Sequence, residues 1–396
     1  MLYLDYCATT PILDEVLEVI THVMKNHYGN PSSLHRLGME AEMILKQARK
    51  DIAASLECKP KEIIFTSGGT ESNNLAIKGA VHAVAGAKRG KHIITSQVEH
   101  PSVYECFAQL AEQGFRVTHI PVDRSGGFQL ADVQNAIEDD TILVSLMHVN
   151  NEMGRIQPIE AIGKWLRQYP KITFHVDAIQ SVGKIPVIPQ QLGADLLSLS
   201  AHKFGGPKGA GVLYRRTGLE LKPEIAGGGQ EFGMRSGTEN VALIAGMAKA
   251  LEIAIKQQEQ DLEKLYMLRK RLITKINEIN QLKISGSENM KIMAPHLLHF
   301  CFPGMKAEIV IHALEQHGIC ISTRSACASG NLKASRILLA MGMNSEMAQT
   351  GLRVSFSAKH SLDEMDYFAA CLQQVVQALQ LPMIALAASK QNNRRR

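Results

Sequence analysis

What most constrains this chain is a succession of short apolar runs, each closed by turn residues and most separated by stretches of helical spacing. The runs fall at residues 63–65, 92–95, 117–120, 142–146, 172–176 and 196–199. They are rich in Ile, Val, Leu and Phe and too short for helices, so they read as buried strands. Between and before them, residues 13–26 place Val16, Leu17, Ile20, Val23 and Met24 on one helical face, and residues 36–56 do the same with Ala41, Ile44, Leu45, Ala48 and Ile52. A strand without a polar face has no water on either side. The alternation therefore predicts an α/β fold, a mainly parallel sheet sandwiched by helices.

A chain of 396 residues is too long for one simple core. From Glu239 to about Ile279 the apolar spacing is continuously helical, through Leu251, Ile255, Leu262, Leu265, Leu268, Leu272 and Ile276, long enough to bridge two domains. The expected division is a large domain over 13–260 and a smaller α+β domain built from 1–12 and 261–385. The smaller one would have strands near 296–302 and 319–322 and helices near 306–317 and 362–379. The basic, polar segment 386–396 reads as a disordered tail.

Composition excludes several classes of function. Forty-three basic residues against 38 acidic ones, with only 5% aromatics, give neither the charge nor the stacking surface of a nucleic-acid binder. Seven cysteines at 7, 58, 106, 301, 320, 327 and 371 are odd in number and form no CxxC pair, so neither a disulfide framework nor a metal site is readable. That usage fits a reducing cytoplasm. Met1-Leu2-Tyr3-Leu4-Asp5 has no basic leader, and no uninterrupted apolar stretch reaches the roughly 18 residues of a membrane span.

The chemistry concentrates around Ser200-Ala201-His202-Lys203, which runs straight into the glycine-rich Phe204–Gly211. A lysine there has polar neighbours and closely packed backbone, a setting that suits an amine that must lose its charge and attack a carbonyl carbon. Asp177, at the end of the apolar run 172–176, and Gln180 lie 26 and 23 residues before it. Ser67-Gly68-Gly69-Thr70-Glu71-Ser72-Asn73-Asn74 follows a strand and opens a helix, where unpaired N–H groups of Gly69 and Thr70 can meet an anion. His100 also follows a strand and has an imidazole that could stack and shuttle protons. Each feature taken singly has an ordinary reading: a capping acid, a polar loop histidine, a tight turn. Together they match what pyridoxal phosphate (PLP) requires, namely a lysine for attachment, an acid for its ring nitrogen, and donors for its phosphate and phenolate oxygens.

Motifs spread along the chain carry a more specific likeness. They include Tyr3-Leu4-Asp5-Tyr6, Ala8-Thr9-Thr10-Pro11, Gly29-Asn30-Pro31-Ser32-Ser33, Phe65–Ser72, Glu99-His100 and His148–Gly154. His175–Ala178, Gln180–Lys184, the Lys203 run, Arg235–Asn240, Ser325-Ala326-Cys327 and Arg353-Val354-Ser355 follow in order. With these, over about residues 1–380, the chain resembles the cysteine desulfurases of the NifS/IscS type, in the aminotransferase-class-V branch of PLP enzymes. The resemblance implies PLP fold type I and a reaction that turns L-cysteine into L-alanine. It implies Lys203 as the attachment point, Asp177 on the pyridine nitrogen, Gln180 on the phenolate oxygen and His100 stacked on the ring. Gly69, Thr70, Ser200 and His202 would hold the phosphate, joined by Thr238 from the other subunit of a homodimer, while Asn151 and Arg353 would hold the substrate carboxylate.

Cys327, in the small and polar Ser322–Asn331 segment that suits a mobile loop, matches the family nucleophile and would receive the sulfur as a persulfide. It would pass that sulfur to an acceptor protein, an iron–sulfur scaffold or a thiolation enzyme, and could ligate cluster iron in passing. No other metal is implied. A selenocysteine lyase, or another class-V aminotransferase or lyase, would use the same PLP residues; transamination, however, needs no nucleophilic thiol.

The chain departs from its relatives at Arg324, where the loop commonly has glycine. The side chain either points to solvent and stiffens the loop, or lowers the Cys327 pKa and favours the thiolate. Alkylation of Cys327 followed against pH separates the two. Under the second reading Arg324→Gly moves the midpoint to higher pH; superimposable curves leave only the first.

Overall fold

The computed structural model describes residues 1–85, 90–323 and 334–394, with side chains to residue 380; Arg324 and Cys327 lie outside the described residues. The chain forms two compact units, a larger one of Thr9–Asn151 with Arg155–Gln260 and a smaller one of Met1–Ala8, Glu152–Gly154 and Asp261–Arg396.

The smaller unit opens with β1 (Leu2–Tyr3), and the larger unit then begins with helices α1 (Asp14–Asn26) and α2 (Arg36–Ser55). The larger unit holds β2 (Ile63–Thr66), β3 (His92–Ser96), β4 (Arg116–Ile120), β5 (Thr141–Met147), β6 (Thr173–Asp177), β7 (Leu196–Ser200) and β8 (Gly211–Arg215). They form one sheet in the order β2-β8-β7-β6-β5-β3-β4. Every residue of β2, β3, β5, β6 and β7 is buried. Helix α3 (Gly69–Ala85), whose N-terminus follows β2, packs over β7 and β8, and α4 (Pro101–Glu112) follows β3. One core lies against α1 and α2, with Val16, Ile20, Ile52, Val176 and Leu199, and another under α3 and α4, with Ala76, Ile77, Phe107 and Leu213.

Three strands have features that apolar runs alone do not reveal. β8 lies within what reads in sequence as the continuation of a glycine-rich loop, and it runs antiparallel to both β2 and β7. In mid-sheet, His175 of β6 bridges its neighbours, with Nδ1 2.8 Å from Ser145 Oγ and Nε2 2.9 Å from Ser198 Oγ. At the β2 edge, the Phe65 N–H donates to the Glu231 carboxylate at 2.8 Å, and the same carboxylate is gripped by both arms of the Arg49 guanidinium. An edge N–H that would otherwise invite another strand is thereby closed.

In the smaller unit β10 (Leu297–Cys301) lies antiparallel between β9 (Lys283–Ile284) and β12 (Gly351–Ser355), and β1 pairs in parallel with β11 (Ile319–Cys320). Its core gathers Leu268, Leu272, Phe300, Val354, Phe368 and Leu372. The 37-residue helix Val241–Asn277 places Met247 and Leu251 in the first core of the larger unit and Leu268 and Leu272 in the core of the smaller. The backbone of the last helix continues from Leu362 to Arg394, where the polar composition had suggested a disordered tail. Ala, Leu, Gln and Lys on either side of Pro382 are good helix formers, and extending a nucleated helix costs little per residue, although Pro382 itself has no N–H to give to the helix. No described helix is long and apolar enough to cross a membrane.

Gly211 is the point where β8 meets the turn after β2. A Cβ there would lie 2.6 Å from Gly68 Cα and 2.8 Å from Thr66 Oγ1. Backbone cannot swing aside as a side-chain tip can, so Gly211→Ala should cost about 1–3 kcal/mol, the usual range for overpacking. Urea unfolding measures this; a midpoint equal to wild type would refute the close approach.

Candidate active site

Strands β2, β3, β5, β6 and β7 all run the same way, because β2 and β7 are each antiparallel to β8 and the rest are parallel to β7. Their C-terminal ends therefore share one edge of the sheet, where ligands bind in folds of this kind. Chemistry-bearing residues collect there. Asp177 ends β6, Ser200 ends β7, the turn Ala201–Lys203 follows directly, the glycine turn after β2 opens α3, and His100 caps α4.

Asp177 is the centre of this group. Its carboxyl is buried and accepts from the Ile179 N–H at 3.1 Å and from the Asn73 amide at 2.9 Å. Burial raises its pKa, because desolvation penalises the anion. The Ile179 N–H, the Asn73 amide and the charge of Lys203 pull the other way. Lys203 is thus within electrostatic reach of the acid that the sequence paired with it. His202 is tied to the first residues of the larger unit: its carbonyl accepts from the Thr10 N–H at 2.9 Å, and its Nδ1 lies 3.2 Å from Thr9 Oγ1. Burial first, then the charges of Lys203 and Lys208, push its pKa down to about 4.

The turn between β2 and α3 is built for close approach. Gly68 has φ +152°, a region L side chains avoid. A Cβ on Gly69 would lie 2.2 Å from Ile179 Cδ1 and 3.4 Å from Ser200 Cβ. Thr70 is exposed at the first turn of α3. The Glu71 carboxylate accepts from the Ser67 N–H at 2.8 Å and from Arg235 Nε at 2.8 Å. That ion pair ties the segment carrying Thr238 to this turn. Thr238 itself is exposed and lines a cavity with Thr66, Ser67 and Arg235. His100 Nδ1 accepts from the Ser102 N–H at 3.1 Å and lies 2.8 Å from Ser102 Oγ. Gln180 and Asn151 are buried. Arg353, on β12 of the smaller unit, is buried and donates to Asp5 at 2.9 Å.

The larger unit therefore brings together Asp177, Lys203, Ser200, His202, Gly69, Thr70 and His100. Arg353 belongs to the other unit, and Cys327 is outside the described residues. Three further residues have partners here that sequence spacing did not assign: Asn73, Ser102 and Asp5. Asn73 and Asp5 sit inside quoted motifs, and a polar residue one turn into a helix next to a glycine turn was the available signal. The residues present fit PLP. A buried acid needs a cationic partner such as a ring N–H, a lysine lies within reach of that acid, and a glycine-opened helix N-terminus offers N–H groups to a phosphate.

The aminotransferase class-V family model matches residues 2–368. The chain is 43% identical over 378 residues to a protein of Dictyoglomus turgidum named cysteine desulfurase IscS, an alignment spanning 95% of each. Among solved structures it is similar to a NifS-like protein at 37% identity and a TM-score of 0.88, covering 95% of this chain and 99% of that one. It is also similar to SspA in complex with cysteine, at 35% identity and a TM-score of 0.78, covering 90% of this chain and 99% of that one. These likenesses establish the fold as the NifS-like PLP fold type I, with a mainly parallel sheet and helices.

Two buried histidines and one half-buried histidine of the larger unit make acid the sensitive direction. Desolvation holds His148 and His202 to a pKa of about 4 and His175 to about 3, against an ordinary 6.5. Below about pH 6.5 the unfolded chain takes up protons that the folded chain refuses, so stability is lost as pH falls toward 4. Urea midpoints measured at pH 7, 6 and 5 should decline in that order; a flat profile would contradict the burial of these rings.

Proposed function

This chain belongs to the aminotransferase class-V family and is an enzyme of its cysteine desulfurase branch, and on that premise we propose how its residues divide the work. When bound, PLP supplies an electron-withdrawing ring that loosens bonds at the substrate's α-carbon. Lys203 would hold the cofactor, and its amine would take the α-proton and return it. Asp177 pairs with the ring nitrogen. The pull of the Lys203 charge on its pKa supports an acid that works opposite a cation. Gln180 would donate to the phenolate oxygen, and His100 would hold the ring. Gly69, Thr70, Ser200 and His202 take the phosphate, His202 as a neutral ring because its pKa is near 4.

Asn151 and Arg353 hold the substrate carboxylate, for which a guanidinium fork is the matching shape. Cys327 receives the sulfur. Its thiolate forms an S–S bond as the C–S bond of L-cysteine breaks, a proton replaces sulfur on carbon, and L-alanine leaves. The resulting persulfide goes to an acceptor protein, an iron–sulfur scaffold or a thiolation enzyme. A homodimer is supported by the apolar side chains that the larger unit exposes, among them Leu34 at 95%, Tyr28 at 72%, Met43 at 67% and Phe232 at 56%. In such a dimer the exposed Thr238 reaches the partner's phosphate. The six described cysteines are free thiols, which supports a cytoplasmic setting.

The observation that carries this reading is the buried Asp177 carboxyl with Lys203 acting on it from the next strand end. Alanine and sulfide release from L-cysteine tests it. Cys327→Ala and Lys203→Ala should each abolish sulfide release, and only Cys327→Ala should keep the visible absorbance of bound PLP. Sulfide release that survives Lys203→Ala would end it.

A further inference from the structure

The larger unit contains a hydrogen-bonded chain that runs from Asp177 to His100 through two residues with no assigned role. Asn73 is completely buried in α3, and its amide nitrogen lies 2.9 Å from Asp177 Oδ2 and 2.9 Å from Ser102 Oγ. An amide NH2 has two hydrogens, and both are engaged. The remaining Asn73 Oδ1 is buried without a hydrogen-bond partner. Leaving a buried acceptor unmade is costly. The arrangement persists because turning the amide over would set that oxygen against the carboxylate and strip Asp177 of its side-chain donor.

The next link follows from counting hydrogens. Ser102 Oγ accepts from Asn73, so its single O–H is available for His100 Nδ1, 2.8 Å away. The Ser102 backbone N–H donates to the same Nδ1 at 3.1 Å. A ring nitrogen facing two donors carries no hydrogen of its own.

We propose that Asn73 and Ser102 are positioning residues that couple Asp177 to His100, fixing His100 in the tautomer with a bare Nδ1 and its hydrogen on Nε2. The inference rests on the proposed roles of Asp177 and His100 toward PLP, but the link itself exists in the protein alone. One amide then does two things. It orients the acid so that the acid's remaining lone pairs face the ring site, and through Ser102 it selects Nε2 as the nitrogen by which His100 gives or takes a hydrogen.

The test uses the purified enzyme with PLP bound and again after the cofactor is removed, in wild type, Asn73→Ala, Ser102→Ala and Ser102→Thr. Ring 15N shifts of His100 report the tautomer, and titration of the stripped protein with PLP reports cofactor affinity. Wild type should show an unprotonated Nδ1 and a protonated Nε2. Ser102→Ala, which keeps only the backbone donor to Nδ1, should let a measurable minority of the Nδ1-protonated tautomer appear at near wild-type PLP affinity, Ser102→Thr should restore the single tautomer, and Asn73→Ala should admit the same minority and weaken PLP binding by about tenfold. A hydrogen on Nδ1 in wild type, or an unchanged tautomer in both alanine variants, would overturn the proposal. Failure of wild type to bind PLP would instead refute the assigned cofactor roles, while the tautomer in the stripped protein would still decide the link.

Discussion

The structure of the site depends on one buried carboxyl, that of Asp177. An anion at the end of an interior strand is unfavourable, and burial drives its pKa up accordingly. Three elements have to converge to hold it: the backbone after β6, the first turns of α3, and the turn after β7 with Lys203. The strand order accomplishes this. β6 and β7 are neighbours in the sheet, and α3 packs over β7 and β8, so its N-terminal turns overlie the end of β6. The same convergence that makes the carboxylate tolerable is the one that a cationic ring and its phosphate would use.

Close backbone approach is what allows it. Gly69 and Gly211 sit where side chains would collide with Ile179 or with backbone, and Gly68 between them takes a positive φ. Glycine is entropically costly to order, and here that cost is accepted where β8 must lie against the turn that opens α3. Hydrogen bonds and ion pairs then fix the surroundings, with Glu71 joining Ser67 to Arg235 on one side and Glu231 joining Phe65 to Arg49 on the other.

Much of this was legible in the sequence, for a physical reason. Strands without a polar face appear as apolar runs, and residues placed just past such runs lie at one sheet edge, which is why Asp177, His100 and Lys203 group together from sequence position alone. β8 was not legible, because a strand that begins at Gly211 directly after a glycine-rich loop has no distinct start. The partner of Asp177 was not legible either. Asn73 lies 104 residues away, and nothing in spacing tells which polar residue of a helix's first turns faces inward. Asp5 is more distant still, 348 residues from Arg353. Cysteine count and charge constrained the setting but placed no side chain.

The charges around Arg353 are balanced within the smaller unit. The guanidinium is buried, and a buried cation needs compensation. Asp5 provides one carboxylate at 2.9 Å. His299, directly across the β10–β12 ladder, could have added a competing positive charge, but burial and the guanidinium itself hold its pKa to about 3, so it stays neutral. A neutral histidine across the ladder leaves the Arg353–Asp5 pair without a competing cation at its side, so the one charge that the proposed carboxylate-binding residue brings into this sheet is balanced rather than multiplied.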